Sequence, residues 1–577
     1  MHTRSDGASR SATFTANPEE SYRLESLDKL FSPAGSKRLE EITLLRTERQ
    51  TLSKSDMQKV SLGWTWRYRR FNFSGSELYD FNKAKNHEIY RLTYQNPENS
   101  ADNQAQRIYS PSNSNHYATT FHADYNLWLG SESKFVHWQF IPLFDYRHEY
   151  SSADNMRYRL DRLPDWGADA DVALGLAPSA QSELNVALDR QNSLNTETTT
   201  DIFNPGFMAI YGIFWKDEKQ KFYVTPTIRD QIKSEKIKYI KPGLLDEYPH
   251  RTRHCWNPQL NISFSESVID TDPDTGSRKF KRDYSLQLSY SMSIYLPDLL
   301  NMINTVNNEN PLYIREGNPD LRDSHIHNFN LSYSLRTSSQ FHFNASAYSS
   351  IRRSQIGYAQ FYNRETGVTV SRPMNIDGNW NASMYLSAGK EWNQKFGIQA
   401  SVNPGYNHSV DYISETDVPT SSLVHNWNIG GNITGSYQFL GENTLKLSFN
   451  PRWMKQYSDR ANFSTTSAWD LNYGVNLTLN KLLPWKLKFD TSFQLRTRTG
   501  YNAAEMNTTE YVWSAQLSRS FDNRFTLTVE GFDILGSVKN ISRHITSQGF
   551  YENWYNALPS YVMAKFSYRF HIYPKKR

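Results

Sequence analysis

The sequence predicts an all-β chain: a large antiparallel up-and-down barrel of about 20 strands that crosses a membrane, with short turns at one end and long loops at the other. Three observations predict it. Apolar and small polar residues alternate with period two, and the run 284–295 is 12 residues long, about twice the usual strand of five or six. The connections between such runs are short and long in turn. The composition pairs 38% hydrophobic residues and a mean hydropathy of −0.71 with 14% aromatics, including 36 Tyr. A disordered chain would be poor in aromatics.

In the run 284–295, Tyr284, Leu286, Leu288, Tyr290, Met292 and Ile294 share one face; Ser285, Gln287, Ser289, Ser291 and Ser293 share the other. Next, Phe329, Leu331, Tyr333 and Leu335 oppose Asn330, Ser332 and Ser334. Further on, Trp427, Ile429, Ile433, Tyr437 and Phe439 oppose Asn428, Asn432, Thr434, Ser436 and Gln438. Residues 469–477 and 485–496 repeat the pattern. Period two is the signature of a strand. A face of Ser, Asn and Gln fits a water-filled lumen, and a face of aromatic and aliphatic residues fits lipid.

Short connections fall at 129–134, 216–220, 336–340, 393–395, 440–443, 481–485 and 521–524. Long ones fall at 95–116, 147–206, 230–251, 296–326, 409–423, 457–466, 500–509 and 539–560. The polar stretch 265–283 is long for its place on the short side. A closed wall requires the last strand, 561–570, to pair with 524–535 and with a first strand inside residues 1–52.

The single cysteine, Cys255, excludes an internal disulfide. A net charge of +5, from 64 basic and 59 acidic residues spread along the chain, leaves no nucleic-acid footprint. No run of 18 apolar residues exists, which excludes a transmembrane helix but not strands of about 9–11 residues. The opening "MHTRSDGASRSATF" lacks the apolar segment of a secretory signal. Without G-x-S-x-G, H-E-x-x-H, a P-loop or G-x-G-x-x-G, the chain is not read as an enzyme, and no cofactor is expected.

"NPLYIREGNPDLRDSHIHNFNLSY", from Asn310 onward, resembles the barrel of TonB-dependent outer-membrane receptors in the form common in Bacteroidota. The positions that carry the likeness are Asn310, Pro311, Leu312, Gly317, Asn318, Pro319, Leu321, His327 and Asn328. "YRLDRLPDW" (158–166) and "LDRQNS" (188–193) are similar to a long loop of that family. "RFTLTVEGFDILGSVKNISR" and "SYVMAKFSYRF" are similar to its last two strands. The resemblance implies a 22-strand barrel for ligand uptake across the outer membrane. It implies outer-membrane lipid and lipopolysaccharide, the barrel-assembly machinery and a surface lipoprotein as partners, and TonB where a plug lies upstream. Such receptors carry a signal peptide and an N-terminal plug, and neither is read in this chain. Residues 1–37 are then a first strand or residual linker, residues 38–570 the barrel and residues 571–577 a basic tail. Two other readings are a plugless passive or structural barrel and a soluble glycan-binding β-protein. The second would expose large aromatic patches to water.

Phe566, Tyr568 and Phe570 share the apolar face of the last strand, and the resemblance makes them the membrane-insertion signal. His325 and His327 have the spacing of a metal clamp but no third ligand nearby, so no metal is expected. Asp270, Asp272 and Asp274 have calcium-loop spacing, but Gly276 is one position late and Lys281 stands where a Glu is needed. Lys486, Lys488, Asp490, Arg496 and Arg498 line the lumen face of their strand. The ligand is not legible.

Overall fold

The computed structural model describes residues 2–16, 44–68, 71–95, 104–128, 136–167, 170, 172–173, 175–215, 219–271, 278–310, 313–363, 368–414, 420–458, 463, 465–480, 482–501, 506–521, 524–538, 541–546, 549–554 and 560–570. Pro311, Leu312, Asp272, Asp274, Gly276 and the tail 571–577 lie outside the described residues.

Among the described residues, twenty strands follow one another in a single antiparallel meander. They are β1 His2–Ala16, β2 Leu44–Tyr68, β3 Phe71–Gln95, β4 Gln104–Trp128, β5 Val136–Asn155, β6 Leu194–Trp215 and β7 Gln220–Lys241. Then come β8 His250–Thr271, β9 Arg278–Tyr295, β10 Ser324–Thr337, β11 Phe341–Arg353, β12 Trp380–Trp392, β13 Phe396–Ser414 and β14 Ser421–Phe439. The last are β15 Asn443–Ser458, β16 Thr466–Asn480, β17 Lys488–Thr499, β18 Thr509–Phe521, β19 Phe525–Phe532 and β20 Tyr561–Tyr568. β1 pairs with β2, and β20 pairs with β19. Among the described residues no ladder joins β20 to β1, so the expected seam is not seen there.

Register carries the predicted faces from strand to strand. Leu288 faces Leu331, which faces Ala347, which faces Met384. Gln287 faces Ser332, which faces Ser346. Opposed residues in an antiparallel ladder point to the same side, so the apolar face is continuous. It is also open: Leu288 is 45% and Ile433 51% exposed. An apolar surface of this extent belongs against lipid.

The strands outrun the bilayer. β2, β3 and β4 have 25 residues each, about 80 Å of extended chain against about 30 Å of hydrocarbon. The long loops expected at 95–116 and 230–251 are therefore largely strand, and the one expected at 147–206 is strand at both ends, to Asn155 and from Leu194. Their polarity on both faces reads as loop, but cross-strand polar and ion pairs hold them in the sheet. His148 meets Asp201 at 2.7 Å, Lys238 meets Glu197 at 2.8 Å, His254 meets Asp230 at 2.8 Å and Arg251 meets Glu235. The stretch 265–283 shortens in the same way to the connection between β8 and β9, because β8 runs to Thr271 and β9 starts at Arg278.

The apolar side of a strand also changes with height. In β7, Phe222, Val224 and Ile228 point outward near the short turns, and Ile228 is 45% exposed. Higher on the same strand Ile237 and Tyr239 point inward and are 5% and 4% exposed. They pack with Leu299 and Ile303 of the loop after β9. In β3, Tyr79 points outward, whereas Tyr90, Leu92 and Tyr94 form an inner cluster with Ile108 of β4. Above the membrane the outside is water and the inside is filled by loops.

Candidate functional site

The loop between β9 and β10 is anchored first by a short helix, Leu299–Met302. The Asp298 side chain accepts from the Leu300 amide at 2.9 Å. Arg251 donates to the Pro297 carbonyl. The chain then forms a narrow tongue, in which Val306–Asn310 runs antiparallel to Tyr313–Glu316. The returning arm lies parallel to 369–371 of the hairpin Gln355–Tyr362 and Thr369–Ile376, which comes from the loop after β11.

The residues of the family-like motif hold this tongue. Asn310 pairs with Tyr313 at its tip, next to Pro311 in the undescribed pair. The Gly317 amide donates to Thr305 O at 3.0 Å, and the Asn318 amide to Asn301 O at 2.7 Å. A Cβ on Gly317 would sit 1.7 Å from Ile303 O, so only glycine fits this approach. Asn318 Nδ2 donates to Pro373 O at 2.9 Å and its Oδ1 accepts from the Asp320 amide at 3.0 Å. Pro319 lies inside that turn, and Leu321 is buried beneath it.

The other side of the tongue meets the wall of β3 and β7 and the loop after β5. Glu309 Oε1 accepts from Tyr90 Oη at 2.7 Å and lies 2.7 Å from Arg157 Nη1. Arg157 Nη2 also donates to the Glu309 carbonyl at 3.2 Å, while its Nε lies 3.3 Å from Asp189. The guanidinium stands over the Tyr90 ring, 5.6 Å from its centre. Lys241 Nζ and Gln191 Nε2 both donate to Val306 O, at 2.8 and 3.1 Å. Burial pulls the Arg157 guanidinium below its ordinary pKa, and Tyr90 and Asp189 push it back up. Burial likewise pushes the phenol of Tyr158 up.

Beside Arg157 a polar cavity of about 380 Å³ is lined by Gln106, Arg159, Asp189, Asn192 and Asn308. Arg159 is paired with Asp161 at 2.7 Å. Amides, guanidinium groups and a carboxylate on one wall can hydrogen-bond hydroxyl and carboxyl groups of a ligand. Among the described residues no group of three His, Cys, Asp or Glu could hold a metal ion.

The other singled-out residues lie elsewhere. His325 and His327 face outward on β10, and His327 Nδ1 is 3.1 Å from Tyr290 Oη. Lys488 pairs with Asp490 at 2.9 Å, Arg498 reaches Asp470 at 3.7 Å and Arg496 donates to Gln494. Lys486 lies in the turn before β17. Phe566, Tyr568 and Phe570 are exposed, and Phe566 and Tyr568 face Leu527 and Phe525 on β19.

Sequence reasoning missed Tyr90, Arg157, Asp189, Lys241 and Glu309. One signal was available: in 221–241 the apolar residues move from even to odd positions, from Phe222, Val224 and Ile228 to Ile237 and Tyr239.

Residues 275–427 match the model of the outer membrane protein beta-barrel family. That stretch is similar to the barrel wall of outer-membrane proteins. The matched stretch runs from the start of β9 into β14 and contains the whole tongue. No curated protein matches the chain. Among solved structures, the FrpB iron transporter from Neisseria meningitidis is similar at 9% identity over 92% of this chain and 79% of its own, with a TM-score of 0.39. The copper transporter OprC gives 9% identity over 92% and 74%, with a TM-score of 0.37. The siderophore receptor PirA from Pseudomonas aeruginosa gives 10% over 97% and 80%, with a TM-score of 0.35.

Proposed function

We propose that this barrel is the uptake barrel of a TonB-dependent receptor, with the long-loop end outside the cell and the mouth cluster as its ligand contact. The observation that carries the reading is the tongue Val306–Glu316, tied by Glu309 and Val306 to Tyr90, Arg157 and Lys241 across the mouth. Charged groups at the mouth can bias which solutes enter even a passive pore, but the tongue also brings buried hydrogen-bonding groups together beside a cavity. A selective receptor needs them, because such groups discriminate between ligands far better than an open wall does. The cavity beside Arg157 offers such groups.

The full chain, supplied with an export signal in a Gram-negative host, tests this. Cells are given labelled ferric siderophores, cobalamin and oligosaccharides, with and without a protonophore. Accumulation of one of these that the protonophore abolishes is expected. Passage that is equal with and without the protonophore would make the chain a passive barrel.

A further inference from the structure

The two ends of the tongue are held differently. Its base is packed on apolar side chains, with Leu299 and Ile303 against Ile237 and Tyr239. The outgoing arm Val306–Asn310 is exposed along most of its length, and polar groups tie it to the wall: Lys241 and Gln191 at Val306, Arg157 and Tyr90 at Glu309. The Arg157 side chain is 3% exposed and the Glu309 side chain 47%. The cation belongs to the wall, and the carboxylate reaches it from the solvent side. The fit between them is close but not aligned. Glu309 Oε1 is 2.7 Å from Arg157 Nη1 and Asp189 Oδ2 is 3.3 Å from Nε, yet neither nitrogen makes a hydrogen bond among the described residues. A carboxylate free to turn can give a guanidinium two parallel hydrogen bonds. One fixed to this strand does not.

The cavity beside this contact is lined by the amides of Gln106, Asn192 and Asn308, which match hydroxyl groups as donors and acceptors. Among the described residues the buried Asn192 Oδ1 accepts no hydrogen bond. No aromatic ring lines the cavity, so it offers no stacking platform to a planar ligand. Arg162 stands exposed at its edge. Its Nη1 donates to Leu188 O at 3.3 Å, and among the described residues it has no carboxylate partner. Around cavity and tongue, Arg157, Arg159, Arg162 and Lys241 are balanced by Asp161, Asp189 and Glu309. Taking Glu309 away leaves those four cations against two carboxylates.

We propose that Glu309 stands in for the carboxylate of the ligand: an acidic sugar displaces it from Arg157 and Tyr90, places its hydroxyls in the cavity, and so frees the tongue. The proposal rests on the mouth being the ligand contact. A uronate ring joins one carboxylate to several hydroxyls, which is the pairing that a guanidinium beside three amides selects. The exchange leaves no buried charge alone, because Arg157 and Tyr90 keep an anionic acceptor when one carboxylate replaces the other. A neutral sugar that pushed Glu309 aside would strand the buried guanidinium, which is strongly unfavourable. Lys241 and Gln191 still grip Val306 O after the exchange, so the arm is released from Glu309 outward and its base stays in place.

The test uses the full chain folded in detergent. The probes are the galacturonate and mannuronate trimers, with their methyl esters as neutral counterparts. Calorimetry reads affinity, and hydrogen exchange reads the tongue. At least one acid should bind well above its ester, and at saturation exchange should rise in 306–316 and stay unchanged in 299–303. E309Q keeps the side-chain shape and loses the charge. It should bind that acid about tenfold more tightly, the gain from removing one charge-assisted competitor, and its tongue should exchange fast without ligand. R162Q should bind about threefold more weakly, as for one exposed ion pair. Heat-modifiable gel mobility checks that each variant folds, and the acid and ester arms on the wild type decide the matter even where a variant does not. No binding of either acid, esters that bind as tightly as the acids, bound acid that leaves or lowers exchange in 306–316, or a folded E309Q no tighter than wild type would overturn the proposal. Protonophore-sensitive uptake of a neutral oligosaccharide with no acid bound would sink it and keep the uptake reading. Acid binding with a freed tongue, but equal passage with and without the protonophore, would keep it and sink the uptake reading.

Discussion

The lower and upper parts of β7 are one continuous strand with opposite chemistry. Near the short turns Phe222, Val224 and Ile228 point outward and Tyr223, Thr225 and Thr227 inward. Near the long loops Lys236 and Lys238 point outward, while Ile237 and Tyr239 are buried inside against Leu299 and Ile303. Nothing in the backbone changes between the two. What changes is the solvent outside, lipid below and water above, and the filling inside, water below and loops above. The same inversion occurs in β3, from Tyr79 outside to Tyr90, Leu92 and Tyr94 inside. The phase of the alternation therefore reports height in the membrane, and the upper barrel behaves as a soluble domain with an interior core.

If that is right, the upper part fails from within. Arg157 is buried and pairs with Asp189 and Glu309. Arg157→Gln leaves two carboxylates without their cation and should cost about 3–5 kcal/mol of local stability, the range for breaking a buried pair. Hydrogen exchange should rise in 306–316 and 189–193 and stay unchanged in β9 and β10. Unchanged exchange in the tongue would mean that the tongue is held without this cluster.

The lower part should fail from outside. Leu288→Arg places a charge in lipid and should cost about 2–4 kcal/mol. Gln287→Arg, one residue away on the lumen face, should be tolerated. Refolding of both into liposomes measures the difference, and equal yields would refute the assignment of faces. A smaller effect, about 2 kcal/mol at the low end for a buried Ile→Ala change, is expected for Ile237→Ala. It should release the loop 299–303 to proteolysis without lowering membrane insertion. A loss of insertion instead would place Ile237 in the spanning region.

The lower wall was legible because its two solvents differ at every second residue, from Leu288 and Gln287 to Phe493 and Gln494. The upper wall was not. In 195–201 and 233–236 both faces are polar, so a strand held by His148–Asp201 and Lys238–Glu197 pairs looks like a loop. Gly317 and Asn318 were legible as a chain break, but the Ile303 carbonyl that excludes a side chain at Gly317 is a tertiary contact. Glu309 and Tyr90 are 219 residues apart, and no local pattern announces their hydrogen bond.

The smallest test concerns the loop after β17, again at the upper end. Tyr501 packs with Met506 and Ala468, and its hydroxyl donates to Asp470 Oδ1 at 2.8 Å. Burial pushes the phenol well above its ordinary value, and Asp470 pushes it further in the same direction. The group is thus harder to ionise folded than unfolded. Its stabilising contribution is complete below the unfolded pKa of about 10 and is lost as pH rises beyond it, because the unfolded chain gives up the proton first. Tyr501→Phe removes one hydrogen bond and should cost about 1 kcal/mol at pH 8. It should also remove that loss, so the difference in Tm between wild type and variant should narrow above pH 10. Thermal unfolding in detergent from pH 8 to pH 11.5 reads both effects. Parallel curves across that range would show that Tyr501 is not protected, and that the loop after β17 lacks the buried interior assigned to the upper barrel.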